Sequence, residues 1–428
     1  MTHVCRYWRE SIVSTPGNWA LISNERIGLT RSSLERCKAV PLELRLSVFQ
    51  ARIDAGFFDL ITPYIQNTEI LRIDYISLQK TLPSFPRSMP NLRSLSLLSG
   101  HLNWNRSTDP FGPLKWLAPA LTHLSLTRVP LCPSFLRLRS LADLTLHNYQ
   151  LDLHLDTLLD FLEEKTSLER VTLRIAFNQP SFRVSRRRVA IRNRLLSLSI
   201  RSIDAMDSEA LISNIALQRG ALLELTLYDR NAGSNAVLSV ISMTHLSNLE
   251  SPTHIQYYPD KRGVRLFGPN GSFSFTCGWW FLEEPFAEFP LLPLTNVQTF
   301  YLVRRALGVG DPPEDSIVFP PSSLPALETL AVEHDVAVSH LFSALFSDPS
   351  SSPSLNTLAF LDCDLDEGFM KELTRFASNR KNTSARLYRV VIVNSKGCIP
   401  SPASLDGLGK HVPVVDVRVC GRLPADLV

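Results

Sequence analysis

The chain has 428 residues, 44% of them hydrophobic and 20% charged, which is enough apolar material for a large core and excludes a disordered chain. Lys and Arg number 44 against 41 Asp and Glu, so the net charge of +3 gives no global call for nucleic acid as a partner. Seven cysteines, at positions 5, 37, 132, 277, 363, 398 and 420, are scattered without a C-x-x-C pair, a pattern of reduced thiols and not of a disulfide frame or zinc site.

The first predicted element lies in "VCRYWRESIVSTPGNW", residues 4–19. Val4, Trp8 and Ile12 recur every four residues with Cys5 beside them, while Arg6, Arg9 and Glu10 lie opposite, so the segment reads as an amphipathic helix. Thr15-Pro16 then closes one helix and opens another, with Thr15 as the capping oxygen, and Trp19 is expected to pack back on the helix. The basic, polar start differs from a secretory signal, and no window reaches membrane-spanning length, so a cytoplasmic or nuclear, membrane-free location is expected.

A repeat follows. The segments at 90–99, 119–128, 139–148, 166–175, 193–202 and 220–229 share the form L-x-x-L-x-L, with looser versions at 41–48, 68–75, 295–304, 325–334 and 353–362. From Leu44 through Leu71, Leu95, Leu124, Leu144, Val171, Leu198 and Leu225 the steps are 27, 24, 29, 20, 27, 27 and 27 residues, in or near the leucine-rich-repeat range. Each L-x-L pair points its side chains one way, as a strand does, and the spacers at 156–166 and 208–220 carry helical spacing. The predicted fold is α/β: an irregular leucine-rich-repeat-like solenoid of parallel strands and helices, in which the pairs at 95/97, 124/126, 144/146, 198/200 and 225/227 are buried side by side. Separate βα units of a doubly wound domain are the alternative. The repeats lack the Asn or Cys that regular leucine-rich repeats place after the third Leu.

Between Leu225 and Phe300 the pattern is silent for 75 residues. "VRLFGPNGSFSFT" (264–276) is a hairpin signal, and the stretch either hides poorly matched repeats or forms an insertion, with about 250–293 the irregular section. The neighbouring Trp279, Trp280 and Phe281 suit core filling or a binding hot spot.

Between Glu169 and Asp204 there are nine Arg and no acidic residue. Arg183, Arg186, Arg187, Arg188, Arg192 and Arg194 crowd into "FRVSRRRVAIRNR", which reads as a solvated loop, a nuclear-import signal or a patch for an anionic ligand or acidic partner. No phosphate-binding loop, HExxH or G-x-S-x-G motif is present, and "DCDLDE" (362–367) reads as a helix start and not as a calcium loop. His123 and His147 lie at or beside strand pairs, in structural or surface roles. No catalytic residue, metal ligand or cofactor is assigned, and the chain is expected not to be an enzyme.

The opening stretch and the repeats together resemble the fungal F-box family, whose last F-box helix has the form V-C-R-x-W-R followed by S-T-P-x-x-W and then a leucine-rich-like region. The matching residues are Val4, Cys5, Arg6, Trp8, Arg9, Ser14, Thr15, Pro16 and Trp19. The resemblance implies residues 1–28 as the C-terminal part of an F-box, 29–428 as the repeat region, and Val4, Cys5 and Trp8 as contacts to a ubiquitin-ligase adaptor protein. It implies a non-catalytic substrate-recognition subunit of a cullin-RING ubiquitin ligase that holds an unidentified target protein on the solenoid. The family's Leu-Pro-x-E-[LI] entry helix has no counterpart here, so adaptor binding is expected to be weak or lost. A free-standing interaction scaffold without a ubiquitin role is therefore the alternative.

Overall fold

The computed structural model describes residues 6–24, 27–37, 40–47, 55–75, 88–99, 118–149, 151–175, 189–191, 195–202, 208, 211–227, 251–258, 263–277, 294–303, 324–333, 338–348, 350–394 and 399–419. The chain divides into two compact units, Met1–Arg201 and Ser202–Val428.

In the first unit, α1 (Arg6–Ser14) leads through a 3-10 turn (Pro16–Trp19) to β1 (Leu21–Ser23), α2 (Ile27–Cys37) and β2 (Leu42–Ser47). Then come α3 (Ala55–Ile61), β3 (Thr68–Tyr75), β4 (Ser94–Ser99), β5 (His123–Thr127), β6 (Asp143–Tyr149), α4 (Leu151–Glu164), β7 (Arg170–Ile175), the short β8 (Val189–Ala190) and β9 (Ser197–Ser202). Strands β1 to β7 and then β9 pair in succession, all parallel.

The repeat sets the register. Leu44, Leu71, Leu95, Leu124, Leu144, Val171 and Leu198 stand opposite one another across seven strands, and Leu46, Ile73, Leu97, Leu126, Leu146, Leu173 and Ile200 form the next rung. Every one of these side chains is at most 2% exposed. The Leu that opens each motif is buried too, at 92, 121, 141, 168 and 195. One residue ahead of the strands, main-chain bonds run from Arg93 to Glu69, Thr122 to Arg93, Ala142 to Thr122, Glu169 to Ala142 and Leu196 to Glu169, at 2.7–2.9 Å. Each repeat thus docks its entry turn on the one before, as in a quasi-one-dimensional array whose units contact their neighbours. In α4, Leu155, Leu158, Leu159 and Leu162 are buried at helical spacing, as the pattern predicts.

The residue after α4 carries a pH-dependent contribution. Lys165 is buried, and its Nζ donates to the carbonyl of Leu138 at 2.9 Å and to that of Leu136, closing the turn at Pro133–Arg137. Burial lowers its pKa from 10.5 to about 8, with Arg139 adding to the fall and Glu164 opposing it. Between those values the unfolded chain holds a proton that the folded chain has released, so stability should rise with pH from about 8 to about 10.5 and be lost as pH falls back through about 8. Urea unfolding of the wild type and of Lys165→Met over this range checks it: the wild type should gain on the variant as pH rises.

At the chain start, Trp19 Nε1 donates to the Ile12 carbonyl at 3.1 Å, so Trp19 does fold back on α1, and Arg36 lies 4.4 Å over its ring. The expected Thr15 cap does not form. Its hydroxyl instead donates backward to the Ser11 carbonyl at 2.8 Å, ending α1, while Pro16 takes the first position of the 3-10 turn.

In the second unit the spacer at 208–220 is helical at 208 and 211–213, as its spacing predicts, and then gives way to the short β10 (Ile215–Ala216), which is followed by β11 (Leu222–Leu227). The unit continues through β12 (His254–Tyr258), β13 (Gly263–Gly268), β14 (Gly271–Cys277), β15 (Thr299–Val303), β16 (Thr329–Glu333), α5 (Val338–Ser347), β17 (Thr357–Leu361), α6 (Glu367–Arg380), β18 (Arg389–Val393), α7 (Pro402–Gly409) and β19 (Val414–Arg418). Strands β15 to β19 are parallel and consecutive. The predicted hairpin is β13–β14, joined by Pro269-Asn270. Gly271 has φ +134, and a Cβ on Gly268 would lie 2.6 Å from the Ser251 carbonyl oxygen, so the turn needs both glycines.

The irregular section is mixed. β14 pairs parallel with β11 and β12 parallel with β15, while β13 runs antiparallel between β12 and β14. The antiparallel β13 is what the hairpin signal predicts. β12 and β14 keep the direction of the array, in reversed chain order, while the two-residue turn at Pro269-Asn270 makes β13 antiparallel to β14.

The helices of this unit follow their sequence signals. Asp366 caps α6, its Oδ1 accepting from the Phe369 N–H at 2.6 Å, so "DCDLDE" is the start of a helix. Cys363 corrects another expectation. It holds the position of the repeat's Asn or Cys, and its Sγ lies 3.5 Å from the Val332 carbonyl oxygen of the preceding repeat.

Candidate interaction surface

Alternation along each strand of the first unit sends one set of side chains to the core and the other to the opposite, open face. Ser96, Ser125, Thr145, Thr172 and Ser199 form a hydroxyl row across β4, β5, β6, β7 and β9. Two residues earlier along the strands, carboxylates are held between cations. Glu43 Oε1 lies 2.8 Å from Arg45 Nε and 3.2 Å from Arg72 Nε. Asp143 Oδ2 lies 2.6 Å from His123 Nε2 and 2.9 Å from Arg170 Nη2, and its Oδ1 contacts Arg170 Nε. Such exposed pairs add little stability, but they fix the orientation of their side chains. The bond to Asp143 pushes the Arg170 pKa up.

Two residues later the balance changes. His147, Arg174 and Arg201 stand opposite one another on β6, β7 and β9. Both arginines are exposed and form no ion pair among the described residues. Partial burial, then Arg174 and Arg201, lower the His147 pKa below the usual imidazole range. The carbonyl of His147 accepts from the N–H of Arg128, which has a left-handed φ of 55° and is itself exposed.

The second unit presents no such face along β15–β18. Phe300, Leu302, Leu330, Val332, Leu358, Phe360, Val390 and Ile392 fill one side of its sheet. On the other side Tyr301, Ala331, Ala359, Val391 and Val393 are buried as well, packed with Val303 and Leu361. Strands buried on both faces read as unbroken apolar runs, and "RVVIV" and "TLAFL" are such runs.

Of the residues picked out from sequence, Val4 and Cys5 lie outside the described residues, and only the main chain of Trp8, in α1, is described. Arg183, Arg186, Arg187, Arg188, Arg192, Arg194, Trp279, Trp280 and Phe281 also lie outside them. The structure places the outer members of the acid-free run, Arg170, Arg174 and Arg201, on the open face. At the N-terminal end, Ile12, Val13, Leu21, Ile27 and Leu29 are 36–53% exposed. Among the described residues no three metal-ligating side chains converge, and no helix is long and apolar enough to cross a membrane.

No family model matches the sequence, and no curated protein does. Among solved structures, the leucine-rich repeat-containing protein LegL7 from Legionella pneumophila is similar over 80% of this chain and 87% of its own, with 13% identity and a TM-score of 0.28. A leucine-rich repeat protein of Leptospira interrogans is similar over 95% of this chain and 97% of its own, with 13% identity and a TM-score of 0.30.

Proposed function

We propose that this chain is a non-catalytic protein-interaction module whose binding surface is the open face of the first unit. The observation that carries this reading is the contrast between faces: seven parallel strands expose hydroxyl and charged side chains there, whereas the second unit buries both sides of β15–β18. An extended polar sheet face suits another protein's surface better than a small molecule, which needs enclosure. Ser96→Trp combined with Thr145→Trp would obstruct this face. Proteins cross-linked to the wild type should be lost from the variant and kept by Tyr388→Ala, a change at an exposed position in the second unit. Equal cross-linking by all three proteins would refute the assignment.

Within this reading, a substrate receptor of a cullin-RING ubiquitin ligase rests on the resemblance of Val4, Cys5 and Trp8 to an F-box helix. The exposed apolar residues Ile12, Val13, Leu21, Ile27 and Leu29 support a docked partner at that end. In a chain extended before Met1 by the family's Leu-Pro-x-Glu entry helix and its second helix, adaptor binding should be measurable by calorimetry. Trp8→Ala should weaken it at least about tenfold, as for a buried aromatic anchor. If the extended chain does not bind the adaptor, the free-standing scaffold is the better account.

A further inference from the structure

We propose that the open face over β6, β7 and β9 binds a short acidic segment of a partner protein, with Arg174 and Arg201 pairing its carboxylates. The inference rests on the open face being the docking surface and adds the chemistry of the partner. Arg174 and Arg201 are directly opposite in register, so they project from neighbouring strands whose spacing is about 4.8 Å. Like charges placed opposite each other cost a sheet free energy, and among the described residues no carboxylate pairs with either. A bound carboxylate removes that repulsion, and the guanidinium fork matches its geometry.

The neighbouring groups fit the same partner. Thr145 and Thr172, both half-buried, lie two residues earlier on the same face and supply hydroxyl donors, while Ser199 beside them is buried. Arg128, exposed in the turn after β5, is joined to the row of His147, Arg174 and Arg201 through its N–H bond to the His147 carbonyl. Asp143 is already held by His123 and Arg170, so it does not neutralise the pair. Farther along the face, Glu43 and Asp74 on β2 and β3 offset the charges of Arg45 and Arg72, so that end carries no excess of positive charge. The cationic region therefore spans only a few strands, about 15 Å at the usual strand spacing, which suits a short peptide and not a nucleic-acid backbone.

A fluorescein-labelled hexaglutamate peptide tests this by anisotropy on the full chain. It should bind the wild type at low salt and release as salt is raised. The double variant Arg174→Gln/Arg201→Gln should lose at least about tenfold in affinity, the loss of two charge-assisted contacts, with an unchanged thermal melt. Arg45→Gln/Arg72→Gln, at the other end of the face, should bind as the wild type does. Absence of binding, equal binding by the Arg174/Arg201 variant, or tighter binding of a labelled oligothymidylate of similar charge would overturn the proposal. Because the Trp substitutions at Ser96 and Thr145 test the face without reference to charge, loss of cross-links there with unaltered peptide binding here would reject the acidic partner and retain the docking face.

Discussion

Replacing Phe360 with Ala should destabilise the second unit by about 3–5 kcal/mol, the usual range for emptying a buried Phe site. Phe360 is fully buried, and its ring centroid lies 5.6 Å from that of Phe342 and 5.5 Å from that of Phe369, the latter edge-on at 81°. Phe342 and Phe346 are one turn apart on α5, while Phe369 and Phe376 share a face of α6. The chain continues through Phe346, 5.6 Å from Phe369 and 5.2 Å from Phe376. One ring on β17 therefore holds two helices against the sheet. Its loss removes both the buried area and two aromatic contacts, each worth roughly 0.5–1.5 kcal/mol. Phe360→Leu keeps much of the volume and should cost less. Chemical denaturation followed by a fluorophore attached in the second unit would measure both. A midpoint for Phe360→Ala within error of the wild type would show that the helices dock without this ring.

The contrast between the units also explains what the sequence revealed. In the first unit one sheet face meets the core and the other meets solvent, so hydrophobicity alternates and L-x-L, or a variant with Val or Ile at one position, marks each strand from β2 to β9 except the short β8. In β18, "RVVIV" is apolar at successive positions because Val391 and Val393 are buried on the second face as Val390 and Ile392 are on the first. Period two vanishes, and that strand was not legible as a repeat. β12, "HIQYY", was missed for another reason: its place in the sheet depends on β13 and β15, which no local pattern encodes. Thr15 was misread because a threonine before proline can bond forward or backward, and only the preceding helix decides. The arginine patch read from sequence, Arg183–Arg194, lies outside the described residues, and the pair on the open face was not singled out. Absence of acids over 170–203 flagged the region, but the meeting of Arg174 and Arg201 depends on strand register, in which they are 27 positions apart in sequence.

Register also yields paired substitutions with opposite outcomes. Leu144→Ala should cost about 2–5 kcal/mol, because Leu144 is fully buried between Leu124 and Val171 in the middle of the ladder. Thr145→Ala, one residue on, should change stability by no more than about 0.5 kcal/mol, since its side chain points to the open face. In a nearest-neighbour array the loss at Leu144 weakens the stacking of β6 on both β5 and β7, so it should act on the first unit as a whole and not on one repeat alone. Hydrogen exchange can read this: amides of β5, β6 and β7 should lose protection together in Leu144→Ala and keep it in Thr145→Ala. Equal penalties at the two positions would mean that the faces are wrongly assigned, because a one-residue slip exchanges them. The same difference underlies the binding tests. Substitutions confined to the open face spare the leucine ladder, so affinity lost there reports a lost contact and not a lost fold.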